Sequence, residues 1–131
     1  MILPGEIVDL MQRPSKKELF NKIRRGKEIV AQGSILLVDP DVIAEDAIEL
    51  GYQVSSLKDI LFQILDEIRI EHYVGAHPPR KSYKPMIKDC ELFEFKLTCR
   101  ILGCATYLKY CLKGETFFLV SLHKDRPQAT R

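Results

Sequence analysis

No apolar run in the 131-residue chain approaches the roughly 20 residues that a membrane-spanning helix needs. The opening MILPGEIVDL has neither a basic region nor a small-residue cleavage site, so a cytoplasmic protein without a membrane partner is expected. A glycine-rich phosphate loop, a G-x-S-x-G elbow and an H-E-x-x-H pair are all missing, which removes the signatures of nucleotide binders, α/β-hydrolases and zinc proteases. Three histidines are too few for a histidine-built metal centre, and His72 and His77 stand apart in the wrong context. Cys90, Cys99, Cys104 and Cys111 show no C-x-x-C spacing, so reduced thiols in an apolar region are the simpler reading. Cys99 and Cys104 flank Arg-Ile-Leu-Gly and can face each other across a hairpin, which keeps a redox role open. No metal and no cofactor is expected. A strong charge of one sign is missing too: 20 Lys and Arg against 18 Asp and Glu leave +2, which permits nucleic acid as a partner without arguing for it.

What is present suits one compact core. Hydrophobic residues make up 46% of the chain and charged residues 29%, with no internal repeat and no linker. Residues 1 to 14 read as an N-terminal extension, in which Pro4 to Gln12 suggests a short helix with Ile7, Leu10 and Met11 on one side, ended by Pro14. Residues 15 to 131 read as a single α+β domain. Ser15-Lys-Lys-Glu18 has capping-box spacing and predicts a helix that stops at Gly26, with Leu19, Phe20 and Ile23 inward and a basic remainder. A short strand is expected within 33 to 38. Asp39 and Pro40 then start a helix that ends at Gly51, and Ser56 and Asp59 open a third, 56 to 69, whose Leu57, Ile60, Leu61, Ile64, Leu65 and Ile68 recur at three and four residues.

From His72 to Lys88 three prolines interrupt regular structure, and Arg80, Lys81, Lys84 and Lys88 alternate with Tyr73 and Tyr83. Beyond this loop, period-two patterning predicts antiparallel strands at 91 to 98, 104 to 112 and 116 to 124, with the last turn at Lys113-Gly114. The helices are expected to pack on the side of Phe93, Phe95, Leu108, Phe118 and Val120. The architecture is thus N-terminal helices packed on a C-terminal antiparallel sheet.

If these strands form a meander, Glu94, Lys96, Tyr107, Lys109, Ser121 and His123 emerge together on the face opposite the core. Cleavage of a phosphodiester needs such a set: a base for the 2′-OH proton, cations for the charge that builds on phosphorus, and an acid for the leaving oxygen. An imidazole is the side chain best suited to move protons near neutral pH, which singles out His123. The plainer reading is a solvated sheet face, where polar residues alternate in any case.

The order of features resembles the MqsR family of toxin-antitoxin ribonucleases, within the wider RelE-like group. The resemblance rests on AEDAIELG at 44 to 51, the helix that follows to Ile70, EHYVG at 71 to 75, LFE at 92 to 94, TYLKY at 106 to 110 and FLVSLH at 118 to 123. It implies a RelE-like fold and a metal-independent endoribonuclease toxin that cleaves mRNA and is neutralised by a cognate antitoxin protein. By position, Tyr107 and Lys109 match the family's functional Tyr and Lys, Glu94 stands where the family has Gln, and His123 stands where it has Lys. These four are the candidate catalytic residues. Tyr73 matches an aromatic that precedes a functional Lys, but Val74 follows it here, so that cation comes from Arg80, Lys81 or Lys84 or is absent. The candidate RNA-binding residues are Tyr73, Arg80, Lys81, Lys84 and Lys96. The alternatives of other classes are a noncatalytic nucleic-acid-binding module and a partner-binding regulatory protein.

Overall fold

The structure, a computed structural model, describes residues 12 to 125. The expected short helix in 4 to 12 therefore falls almost entirely outside the described residues. The described chain runs α1 (Lys16–Ala31), β1 (Ile35–Leu37), α2 (Pro40–Leu50), α3 (Leu57–Glu67), β2 (Phe93–Cys99), β3 (Cys104–Lys113) and β4 (Thr116–Lys124). The strands form one sheet in the order β1-β4-β3-β2. The three C-terminal strands are antiparallel, as their alternation predicts, and β1 adds a parallel edge beside β4, which makes the sheet mixed. The fold is α+β. Among the described residues no helix is long and apolar enough to cross a membrane.

Local chemistry sets most of the boundaries. The Ser15 hydroxyl accepts from the Glu18 amide at 3.0 Å and caps α1. The second half of the expected capping box is replaced: the Glu18 carboxylate accepts from Arg13 at 3.2 Å, and Arg13 also reaches Glu91 at 2.9 and 3.0 Å. That guanidinium holds the Glu18 carboxyl below its usual range. Pro40 occupies the first turn of α2, and Gly51 ends it with φ 81°, the left-handed conformation that suits glycine. In α3 the apolar stripe is buried from Leu57 to Leu65, with Ile68 just beyond.

α1 does not stop at Gly26. It continues to Ala31 because Gly26 lies under two core aromatics: a Cβ there would sit 3.4 Å from ring carbons of both Phe117 and Tyr110. The glycine is a close-approach point between helix and sheet, and its cost in helix propensity is offset by aromatic packing. Gly26→Leu is expected to lower stability by about 1–3 kcal/mol through overpacking, read from the midpoint of urea denaturation. Phe20, expected inward with Leu19 and Ile23, is instead 61% exposed.

The main core lies between the three helices and one face of the sheet, where Phe93, Phe95, Leu97, Leu108, Tyr110, Phe117, Leu119 and Leu122 meet Ile29, Val30, Ile43, Leu61 and Ile64. This corrects the expected phase of β4. Pairing runs regularly from Tyr107 with His123 to Lys109 with Ser121, then Tyr110 pairs with Leu119, so Val120 is an extra residue in a bulge. The slip keeps Leu122 in the core but brings in Phe117 and Leu119. Phe118 and Val120 go to the outer face, where with Cys111 they form a smaller apolar cluster under Ile87, Cys90 and Leu92.

The proline-containing loop is more ordered than its composition suggests. Its ends pair with the free edge of β2, through Tyr73 opposite Phe95 and through the Leu92 amide to the Arg80 carbonyl at 2.8 Å. A short 3-10 turn, Pro85–Ile87, seats Ile87 in the outer cluster. The edge of β2 is thereby covered at its N-terminal end, through Phe95.

Candidate active site

Half of the sheet's outer face is covered by the loop, and the other half carries the polar patch. Antiparallel pairing sets Glu94 opposite Lys109 and Lys109 opposite Ser121 in one row, and Lys96 opposite Tyr107 and Tyr107 opposite His123 in the next. The six side chains anticipated on this face are therefore neighbours, within the few ångströms that separate cross-strand pairs. The bulge at Val120 lies next to Ser121. It lets β4 place Phe117 and Leu119 in the core while Ser121 and His123 still point outward.

Specific contacts organise the patch. The Tyr107 hydroxyl donates to a Glu94 carboxylate oxygen. Its ring stacks on the His123 imidazole with centroids 4.8 Å apart and planes 19° from parallel. Burial first, then the hydrogen bond and charge of Glu94, push the Tyr107 phenol far above its ordinary range, so it stays a donor at any physiological pH. His123 Nδ1 donates to the Lys124 carbonyl oxygen at 2.9 Å, which makes Nε2 the acceptor of the neutral ring. Lys96 pairs with Asp125 at 3.3 Å. Asp125 was not picked out in the sequence; its place one residue past the last strand, with its amide on the Ala105 carbonyl, was the available signal.

The loop residues divide. The charge of Arg80 opposes the upward shift of the Tyr107 phenol, as the smallest of the causes acting on it. Lys81 pairs along the backbone with Glu91, and Lys84 stands exposed where its amide bonds the Ser82 hydroxyl at 3.1 Å. Tyr73 is on the other side of the sheet. Its ring meets Phe95 edge-on at 5.7 Å and its hydroxyl donates to the Ala76 carbonyl at 2.6 Å, so the structure does not bring it into the patch. An aromatic beside basic residues reads as a stacking group in sequence, whereas pairing with Phe95 gives Tyr73 core parity.

The remaining histidines have local duties. His72 Nδ1 accepts from the Arg69 amide at 2.9 Å, and the His77 ring lies edge-on to Tyr73 at 5.4 Å. Among the described residues no three His, Cys, Asp or Glu side chains are grouped to hold a metal ion. The cysteines are free: Cys99 and Cys104 are direct cross-strand partners that both approach the Thr106 hydroxyl, at 3.6 and 3.8 Å. No protein-family model matches the chain, and no curated protein matches it significantly.

Proposed function

We propose that the outer face of β2, β3 and β4 binds single-stranded RNA and cleaves its backbone without a metal, and that the chain is the mRNA-cleaving toxin of a toxin-antitoxin pair acting in the cytoplasm. The reading rests on one observation above the others: an imidazole with a free acceptor nitrogen is stacked on a phenol that stays protonated, with Lys109 in the adjoining row. In the proposed step His123 Nε2 takes the 2′-OH proton, and the 2′ oxygen attacks the adjacent phosphorus. Lys109 and Arg80 steady the negative charge on the phosphoryl oxygens, and the Tyr107 hydroxyl returns a proton to the departing 5′ oxygen. Glu94 positions that hydroxyl. Lys96, tied to Asp125, is left to contact a neighbouring phosphate.

Val74 carries no charge where the resemblance implies a cation, and Arg80 supports the reading by supplying one near Tyr107. A binding module alone needs the cations but has no use for the ordered imidazole and phenol. The test is inducible expression with mapping of RNA ends, alongside cleavage of synthetic RNA by the purified chain; new ends at a recurrent short sequence are expected. RNA affinity should fall steeply with salt, and replacing Arg80, Lys81 and Lys84 together by Ala should flatten that dependence by up to about 2 in slope, at roughly 0.7 per single-strand phosphate contact. An unchanged slope assigns the loop to another task.

A further inference from the structure

Among the described residues Tyr83 is the most exposed large hydrophobic side chain, at 87%, yet the chain around it is held on both sides. Ser82 is buried, and its hydroxyl accepts from the Lys84 amide at 3.1 Å. The Ser82 amide donates to the Cys90 carbonyl at 2.9 Å, and its carbonyl accepts from the Asp89 amide at 2.7 Å. Across the turn the Ile87 amide donates to the Lys84 carbonyl at 3.0 Å, and the Cys90 amide to the Ile87 carbonyl at 3.0 Å. Ile87, with no exposed surface, seats the turn on Cys111 and Phe118 of the sheet's outer face. Cys111 follows Lys109 by two residues on that face of β3, about 7 Å along the strand, so the turn stands beside the polar patch. Tyr83 is therefore an exposed aromatic on a fixed frame, and fixing it during folding removes an entropy cost from any later binding.

The same turn concentrates charge of one sign. From Arg80 to Cys90 the sequence RKSYKPMIKDC sets Arg80, Lys81, Lys84 and Lys88 against a single acid, Asp89. Lys81, Lys84 and Lys88 are exposed and make no ion pair with any described residue, and the neighbouring Glu91 is already engaged by Arg13. An aromatic ring among unpaired ammonium groups suits a ligand that carries both flat π faces and closely spaced negative charges. Single-stranded RNA has both, whereas an acidic peptide has the charges without the bases and a duplex keeps its bases stacked inside. We propose that Tyr83 is the stacking platform for a base of the RNA strand bound to the outer face, with Lys84 and Lys88 on the phosphates that flank that base. This inference rests on the RNA reading of that face and adds where the strand continues beyond the reacting phosphate. Tyr83 takes the part expected of Tyr73, which packs on Phe95 instead. Since every base has a π face, the subsite supplies affinity and register rather than a choice of sequence.

The test measures binding of a short 2′-O-methyl oligoribonucleotide, which has no free 2′-OH and so is not cleaved, to the full chain at several salt concentrations. Tyr83→Ala should weaken binding by about 5- to 100-fold, the range for one lost base stack, while Tyr83→Phe stays within about two-fold of wild type. Neither change removes a charge, so both should keep the wild-type salt dependence, whereas Lys84→Ala with Lys88→Ala should flatten it by about 1.4 in slope, at roughly 0.7 per contact. Circular dichroism of Tyr83→Ala should match wild type, because the ring is exposed. Parallel assays of unmodified RNA separate this inference from the cleavage reading. Binding without cleavage by wild type, weakened in Tyr83→Ala, overturns the cleavage reading and supports the subsite. Cleavage by wild type with RNA affinity unchanged in Tyr83→Ala overturns the subsite alone, as does a loss that Phe fails to prevent. Absence of RNA binding by wild type overturns both, and poly-glutamate bound with the same dependence on Tyr83 would reassign the turn to an acidic protein partner.

Discussion

Phe117→Ala is expected to cost about 3–5 kcal/mol, the range for a large aromatic removed from a core. Phe117 has no exposed surface, stacks on Tyr110 at 4.6 Å between ring centroids, and faces Gly26 of α1. Tyr110 in turn donates its hydroxyl to the Lys22 carbonyl at 3.1 Å, so this aromatic pair joins the sheet to the first helix at two points. Removing the ring leaves a cavity that helix backbone cannot fill, and the stacking contribution of about 0.5–1.5 kcal/mol is lost with it. The neighbour Phe118 belongs to the smaller outer cluster with Ile87 and Cys111, so Phe118→Ala should be the milder change. Denaturant melts of both variants check the bulge directly. If Phe118→Ala proves the more damaging, the strand lies in the phase that its simple alternation suggests, and the slip at Val120 is wrong.

That slip marks where sequence reading stops. The strands themselves were legible because alternation is local, and their ends were legible because Gly114 takes φ 60° in the turn between Lys113 and Thr116. Capping by Ser15, Pro40 in the first turn of α2 and Gly51 at its end were equally readable. A bulge leaves no such trace. FFLVSL reads as one period-two run, and only pairing with β3 reveals that Val120 is extra. Gly26 misled for a related reason, since a stop signal and a packing notch are the same residue until the aromatic that fills the notch is known. The edge strand β1 pairs with β4 across about 80 intervening residues, so its parallel sense had no local signature.

The shared face of the polar strand residues was more readable than the core. The pairing of β2 with β3, which joins Glu94, Lys96, Tyr107 and Lys109, has no bulge, and Ser121 and His123 pair with Lys109 and Tyr107 in the regular stretch of β4 after Val120, so the slip left their common face intact. Loop placement was not readable: Arg80 and Tyr73 are seven residues apart in one irregular segment, yet the Arg80 charge acts on Tyr107 of the outer face while Tyr73 packs on Phe95. Backbone pairing with the edge of β2 makes that choice.

His123→Ala should lose about 10²- to 10⁴-fold in RNA cleavage, the usual contribution of a positioned general acid or base. The half-exposed ring is held by its stack on Tyr107 and by Nδ1 on the Lys124 carbonyl, so its removal should reduce stability only by about 0.5–1.5 kcal/mol. RNA affinity should stay nearly unchanged, because the cations Lys109, Arg80 and Lys96 remain. Tyr107→Phe provides the companion measurement. It keeps a ring to stack on His123 and removes only the hydroxyl that Glu94 orients, so a loss of cleavage there with binding retained assigns the second proton to Tyr107. His123→Lys restores a positive charge without the imidazole and should recover part of the activity, with a changed pH profile. Cleavage of a defined RNA across pH 5 to 9 by wild type and the three variants, with circular dichroism to confirm the fold, separates the outcomes. Full cleavage by His123→Ala removes the imidazole from the reaction, and binding without cleavage by the wild type at every pH would leave this face as a nucleic-acid-binding surface.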